Sequence, residues 1–562
     1  MIRWLPAAFV VVSIVVACTS GGGAGADAKL PSVGDAPDAT VKMVAGSENR
    51  ALEPIFARFA RDHKITLAVD YLGSIDISDE LSKGRQTAYD LALPANALWL
   101  DRADARSPDH VVKYRTYFMR TPNILGVAKS KAVELGWDKQ APRFDDVRRA
   151  AEAGKLKFAV TSATQSNSGA NVFFAALQAA KRSQNVLTAA DLDDPAIQGE
   201  VKSFYQTVER SSGSSGYLLD LYLSSCDFIQ GVFVYESVIN DINARIAGNR
   251  GKGDVNQCEE LRAVYPADAI GFSDSPLAFI KKNDDPNDKL ETLYKQLAEY
   301  LLSDPIQKEI LNSGRRPFKL GAGVTARDLT NKQAFRADLG FDLTSDFTAL
   351  VFPEAPVVEK GLVLYQTRLR KPSANVWVLD ESGSMGEAAG RNTRETRDQQ
   401  LKRAIRTVLD QDEASRHLLQ MTPDDLTIVV VFDSTIRYSR VVRGSSPAEL
   451  KGVLDDLARL GPGGGTAIYQ GVQTGMSELR KAGYTGRLPA VILMTDGQNT
   501  TGSAADLDRY LSQNEGANIP VFAIQFGEAD PQQLNALATS TRGRVFLATN
   551  LVTAVKEARS YN

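Results

Sequence analysis

The stretch Val376-Trp377-Val378-Leu379 is apolar at every position and runs straight into Asp380-Glu381-Ser382-Gly383-Ser384-Met385. A strand with one wet face alternates apolar and polar residues. A strand without alternation needs cover on both faces, the condition of a parallel sheet sandwiched between helices. Further strands are expected at Leu426–Phe432, Val491-Ile492-Leu493-Met494, Val521-Phe522-Ala523-Ile524 and Val545-Phe546-Leu547. Amphipathic helices separate them, with Leu450, Val453, Leu454 and Leu457 along one stripe and Ile468, Val472, Met476 and Leu479 along another. The spacing predicts a doubly wound α/β sheet, and such sheets bind ligands beyond the carboxyl ends of their strands.

Three separated pieces of sequence meet at that end. Asp380, Ser382 and Ser384 follow the first strand, Thr466 closes Gly463-Gly464-Gly465-Thr466 before a helix, and Asp496 sits in Leu493-Met494-Thr495-Asp496-Gly497. Two carboxylates and three hydroxyls make an all-oxygen set, the preference of a hard cation such as Mg²⁺ or Mn²⁺. So few carboxylates leave coordination positions for water or an incoming ligand. Asp433, after Val431-Phe432, reads instead as the start of a hairpin turn.

The pattern Asp-x-Ser-x-Ser with a later Thr and Asp resembles the metal-ion-dependent adhesion site of von Willebrand factor A-type domains, and the likeness runs from about residue 374 to about 557. The resemblance implies that Ser382, Ser384 and Thr466 ligate the metal directly or through water. It implies that Asp380 and Asp496 act mainly through water and through hydrogen bonds to the other ligands. A carboxylate from a protein partner would complete the sphere.

Charge and composition narrow the remaining classes. The chain has 562 residues, enough for two to four domains at about 150 residues each. Its 65 basic and 68 acidic residues nearly cancel, so there is no basic footprint for nucleic acid. Its three histidines, His63, His110 and His417, are far apart, which argues against a histidine metal site or a Ser-His-Asp enzyme. Metal-assisted hydrolysis lacks an evident general base beside the cation set. The expected class is a non-enzymatic binding protein.

The N-terminus supplies an address. Arg3 precedes an apolar run from Leu5 to Ala17 that is shorter than the roughly 20 residues needed to cross a bilayer. Val15-Val16-Ala17-Cys18 resembles a bacterial lipobox, which implies a lipoprotein signal peptide over 1–17 and lipidation at Cys18. Residues 18–39, rich in Gly, Ala and Ser, then form a flexible tether to a membrane. In an exported chain the remaining pair, Cys226 and Cys258, is most simply a disulfide, closing a loop of roughly 30 residues worth about 3.5–4 kcal/mol in the chain-entropy model.

Between the tether and residue 325 the chain shows a βαβ rhythm. A strand over 41–45 leads through Gly46-Ser47-Glu48 to a helix with Leu52, Ile55, Phe56 and Phe59 on one face. A second strand over 65–71 ends in Gly73-Ser74, and Leu91-Ala92-Leu93 is a third. Phe158-Ala159-Val160 leads into Ser166-Asn167-Ser168-Gly169 and a helix bearing Phe173, Ala176, Leu177 and Ala180. A Ser-Gly turn opening a helix is either an anion site or plain capping by Ser168.

The segments AGSENRALEPIFARF, YDLALPANALWL, SNSGA, FVYES, VYPADAIGFSDSPLA and SGRRPF resemble the extracellular solute-binding proteins of the periplasmic type II class. The resemblance implies two lobes around a ligand cleft, with Ser47, Ser74, Asn96, Ser168, Gly169, Glu236 and Asp274 as its polar contacts. Glu236 and Asp274 would bind a cation or an amine, or brace the hinge. Residues 326–372 read as a linker, with a helix from Val357 to about Arg370 whose basic end, Arg368, Arg370 and Lys371, is expected to be solvated.

The expected architecture is therefore α/β throughout: a two-lobed periplasmic-binding-protein-like type II domain over 40–325, the linker, and a doubly wound, Rossmann-like A-type domain over 373–562. The expected location is extracytoplasmic, lipid-anchored to the cell membrane, with a protein partner at the metal and a small-molecule solute in the cleft. The alternative is a solute receptor of an ABC-type transport system.

Overall fold

Ala39–Gly46 pairs in parallel with Ile65–Leu72 on one side and Leu91–Leu93 on the other, and Pro276–Ile280 and Val112–Tyr117 extend this sheet antiparallel. The computed structural model describes residues 39–559 apart from 250–257, 285–287, 345–346, 348, 391–392, 515–518 and 549–550. The expected signal peptide, Cys18 and nearly all of the tether lie outside the described residues. Among the described residues no helix is long and apolar enough to cross a membrane.

A second sheet is built on Met119–Ala128, which pairs antiparallel with Gly231–Tyr235, Leu261–Val264, Gly271–Ser273 and Arg316–Pro317. Phe158–Thr161 and Arg210–Ser212 continue it in parallel beyond Gly231–Tyr235. The chain crosses between the two sheets at Phe118, which is fully buried, and again at Asp274-Ser275. Ser275 adopts φ 41° at its crossing, and its N–H donates to Ala95 O at 3.0 Å. Three crossings join the two lobes, the third at residues 313–315 between helix Asp304–Asn312 of the first lobe and Arg316–Pro317 of the second sheet, and the cleft lies between their facing loops. In that cleft a Cβ on Gly73 would stand 2.5 Å from Gln165 O of the other lobe.

The third sheet has the order Ile436–Arg443, Leu426–Phe432, Ser373–Asp380, Leu488–Thr495, Val521–Gln525, Arg544–Leu547. All its pairs are parallel except the first, which is a hairpin. Every residue of Ser373–Asp380 and Leu488–Thr495 is buried, as the unbroken apolar runs require. Strand alternation sorts them by face: Val376 and Val378 pack with Ile468, Val472 and Met476, whereas Trp377 and Leu379 pack with Leu401, Ile405 and Val555. The edge strand Ile436–Arg443 alternates in burial, and Asp433 begins the turn before it, its Oδ1 accepting from Thr435 N at 2.9 Å. The disulfide joins Cys226, after helix Ser215–Ser225, to Cys258, ahead of strand Leu261–Val264.

The linker departs from expectation. Its helix Ala355–Leu364 packs Val358 and Leu362 into the core of the second lobe beside Phe173 and Phe174, and of its basic end only Arg368 is exposed as expected. Arg370 is buried and pairs with buried Asp425, and Lys371 Nζ donates to Val208 O at 2.7 Å. Polar sequence gave no sign of this, because the partner that draws Arg370 inward lies 55 residues further along the chain. Phe335, Leu339 and Phe341, within the residues read as linker, are buried against the same lobe.

Candidate metal centre and solute cleft

Asp380 ends its strand at the carboxyl edge of the third sheet, where the chain must turn. Its Oδ1 accepts the N–H of Ser382 at 2.8 Å, and its Oδ2 accepts the hydroxyl of Thr495 from the neighbouring strand at 2.6 Å. The glycine-rich segment is stitched to this turn: Gly463 N donates to Glu381 O at 2.9 Å and Gly383 N to Gly464 O at 3.1 Å. That pairing carries Thr466 to the site.

Ser384 Oγ lies 3.2 Å from Ser382 Oγ and donates to Asp496 Oδ1 at 2.9 Å. A Cβ on Gly497 would stand 3.5 Å from Ser384 Oγ and 3.7 Å from Thr466 Oγ1, so the small residue leaves the space between these hydroxyls open. Asp380, Ser382, Thr466 and Asp496 are buried, whereas Ser384 is half-buried and Gly383 is exposed. The carboxylates thus form the floor and the serine loop the rim. Burial pushes the Asp380 carboxyl up to about 6; the Thr495 and Ser382 hydrogen bonds oppose this, and Asp496 adds to it.

These donors fit a hard divalent cation: all are oxygen, two can carry charge, and the rim faces solvent. Among the described residues no group of three or more His, Cys, Asp or Glu side chains forms a metal cluster, so a cation here would depend on hydroxyls and water for most of its sphere.

The sequence reading missed Arg397. Its Nη1 lies 2.8 Å from Asp496 Oδ2 and 3.1 Å from Glu387 Oε2. It also missed Lys402, which lies 3.2 Å from Glu381 and 2.8 Å from Asp398. Both come from helix Arg397–Leu409, whose charged residues form no motif that marks them out in sequence.

In the cleft, Ser168 Oγ lies 2.6 Å from Thr161 Oγ1, 2.8 Å from Ser215 Oγ and 3.1 Å from Ser166 Oγ. The helix Asn167–Lys181 is capped by position 166, not by Ser168 as the capping reading expected. A Cβ on Gly169 would come within 2.4 Å of the Thr161 and Ser162 carbonyl oxygens, so glycine is what lets this helix start so close to its strand. Ser47 Oγ faces the other lobe, 3.9 Å from where Gly216 would carry a Cβ.

Other nominated residues are committed to the frame. Ser74 Oγ accepts from Ala95 N at 3.1 Å. Asn96 accepts from Leu98 N and donates to Phe272 O, and Asp274 Oδ1 accepts from Ala97 N at 2.9 Å. Glu236 receives Arg316 Nε at 2.7 Å and Nη2 at 2.8 Å, and both side chains are buried. Glu236 follows Gly231–Tyr235 and Arg316 lies on Arg316–Pro317, so this pair is formed within the second sheet. The sequence reading did not pick out the link between the lobes in which Trp99 Nε1 donates to Asn167 Oδ1 at 2.6 Å and Asn167 Nδ2 donates to Tyr235 OH at 2.9 Å. Ser215 carried a usable signal, since it follows Ser211-Ser212-Gly213-Ser214 at a helix start, as Ser168 does.

Comparison with protein families matches residues 40–316 to the bacterial extracellular solute-binding proteins and residues 376–559 to the von Willebrand factor type A domain. The chain is a solute-binding domain followed by a von Willebrand factor A domain. Comparison with curated proteins gives no match. Among solved structures, maltose-bound MalE3 of T. maritima is 13% identical, with 58% of this chain and 93% of that one covered, at a TM-score of 0.43. A tagatose-bound solute-binding protein of Thermotoga lettingae is 14% identical over 58% and 92%, at 0.40. A ferric binding protein of Campylobacter jejuni is 13% identical over 58% and 98%, at 0.40. Their ligands differ from one another and assign none to this solute-binding domain. The family suggests an extracytoplasmic location, and both kinds of domain are typically binding or adhesion modules without enzymatic activity.

Proposed function

We propose that this protein is a surface-anchored, non-enzymatic binding protein whose A domain captures a protein partner through a divalent cation. Asp380, Ser382, Ser384, Thr466 and Asp496 would hold Mg²⁺ or Mn²⁺, and the cation would offer a Lewis-acid position to a carboxylate of the partner. The observation that carries this reading is the convergence of Ser384, Thr466 and Asp496 around the open space at Gly497. Lipidation at Cys18 would hold the protein at the membrane, with residues 18–39 as its tether and the solute-binding domain, 40–325, next to it. The linker, 326–372, joins that domain to the A domain, 373–562. The cleft would take a small solute through Ser47, Ser168 and neighbouring groups, with no nucleic acid involved.

The test is calorimetric titration of Mg²⁺ and Mn²⁺ into the full chain and into Asp380→Ala. Saturable binding that the variant loses is the expected result; equal binding in both sinks the assignment. A solute receptor for an ABC-type transporter is the second reading, favoured by the two-lobed hinge at Phe118 and Asp274-Ser275. Tight binding of one small solute without any cation-dependent partner would select it.

A further inference from the structure

A small cavity lies where the second lobe, the linker and the A domain meet. Its wall includes Tyr205 and Ser211 from the lobe, Arg370 and Lys371 from the linker, and Arg559 from the last helix of the A domain. Its volume is about 30 Å³, against the roughly 10–15 Å³ that one water needs. It has room for about two waters or one halide-sized ion.

Among the described residues, three cations, Arg370, Lys371 and Arg559, line this cavity; Asp425 meets Arg370 and Arg559, and Lys371 gives its Nζ to Val208 O. Asp425 already holds Arg370 through both oxygens, and its Oδ1 also accepts Ser373 N at 2.7 Å. Its Oδ2 accepts Thr422 N at 2.8 Å, and Arg559 Nη2 reaches that same oxygen only at 3.5 Å. Glu209 and Arg210 act on Lys371 in opposite senses, Glu209 the more strongly. Burial first, and then the neighbouring Arg370 charge, lower Arg559 to about 10 against the opposing pull of Asp425.

Two donors at the cavity are also left over. Arg559 Nε and Tyr205 OH are buried, and among the described residues neither has a hydrogen-bond partner. Arg559 is 5% exposed and Tyr205 1%. A buried donor left without a partner is costly, and more so when it is charged. Water would take both hydrogen bonds but would bring no negative charge to a poorly solvated site lined by three cations.

We propose that this cavity binds chloride, or another monovalent anion of halide size, through Arg559 Nε and Tyr205 OH, and that the bound anion fastens the A domain to the solute-binding domain. The site is separate from the cation centre and from the cleft.

The experiment uses the full chain in a chloride series made up to constant ionic strength with gluconate, an anion too large for the cavity. Thermal unfolding reads stability, and chloride NMR line broadening reads binding. The wild type is expected to show a saturable rise in Tm and excess broadening. Tyr205→Phe keeps the ring, which packs edge-on to Tyr365 with centroids 5.1 Å apart, and removes only the hydroxyl. It is expected to fold and to raise the half-saturating chloride concentration about tenfold, the effect of losing one good hydrogen bond. Arg559→Gln is expected to abolish the response. Identical unfolding in chloride and gluconate with no broadening overturns the proposal. So does an undiminished chloride response in folded Tyr205→Phe.

Discussion

Arg397 places its guanidinium 2.8 Å from Asp496 Oδ2, while the other oxygen of the same carboxylate accepts the hydroxyl of Ser384. One of the two carboxylates of the candidate cation centre is therefore already paired with a cation belonging to the chain itself. Arg397→Ala is expected to tighten Mg²⁺ binding about tenfold, since the ion would no longer share Asp496 with a fixed charge. Calorimetry on the full chain checks this, and weaker binding in the variant would show that Arg397 orients Asp496 and does not compete for it.

Asp76, in the first turn of helix Ser74–Leu81, is pushed up to about 7 by burial; Lys556 opposes the shift, and Asp79, Glu557 and Glu80 add to it. An unfolded chain releases this proton near pH 4, so the folded form holds it where the unfolded form does not. Its contribution to stability is complete below about pH 4 and is lost as pH rises through about 7. Asp76→Asn should flatten that dependence and raise Tm at pH 8 by about 2–4 °C, the shift that roughly 1 kcal/mol gives in a domain of this size. Parallel melting curves for the two proteins from pH 4 to 8 would refute it.

The Cys226–Cys258 disulfide ties the end of helix Ser215–Ser225 to the approach of strand Leu261–Val264 in the second lobe. Replacing both cysteines by serine is expected to cost about 2–4 kcal/mol. Thermal unfolding with and without reductant measures it: reductant should lower the wild-type midpoint and leave the variant unmoved.

Gly169 sits where any Cβ would press on the Thr161 and Ser162 carbonyl oxygens, backbone atoms that cannot swing aside. Gly169→Ala is expected to destabilise the solute-binding domain by about 1–3 kcal/mol through overpacking. Denaturant unfolding of the full chain is the measurement, and an unchanged midpoint would mean that the helix start can slide away from its strand at no cost.

Much of this was legible in residue order because the signals are local. The unbroken apolar run at Val376–Leu379 fixed a doubly covered strand, and the Asp-x-Ser-x-Ser turn that follows it named three candidate ligands. Thr466 and Asp496 were readable because each closes its own short pattern, one before a helix and one after a strand. The edge strand Ile436–Arg443 was implied only by the hairpin turn at Asp433: its apolar-polar pattern fails where Arg440 takes a half-buried place and Val441 an exposed one, and it gains its place from pairing with Leu426–Phe432. In the cleft, Glu236 was recognisable as a polar residue at a strand end, but its commitment to Arg316 depends on a partner 80 residues away.

The sequence alone determined which segments form strands and helices, which oxygen-bearing residues close the sheet at its carboxyl edge, and which two cysteines pair. Periodicity and turn chemistry act over a few residues, so they survive being read in a line. Only the tertiary structure decided that Arg397 sits on Asp496, that Arg370 and Arg559 share Asp425, and that the linker's Arg370 and Lys371 turn inward to help enclose a cavity. Those outcomes are set by charge pairing and burial between residues far apart in the chain. Whether a charged side chain faces water or a partner is a property of the packed molecule, not of its neighbours in sequence.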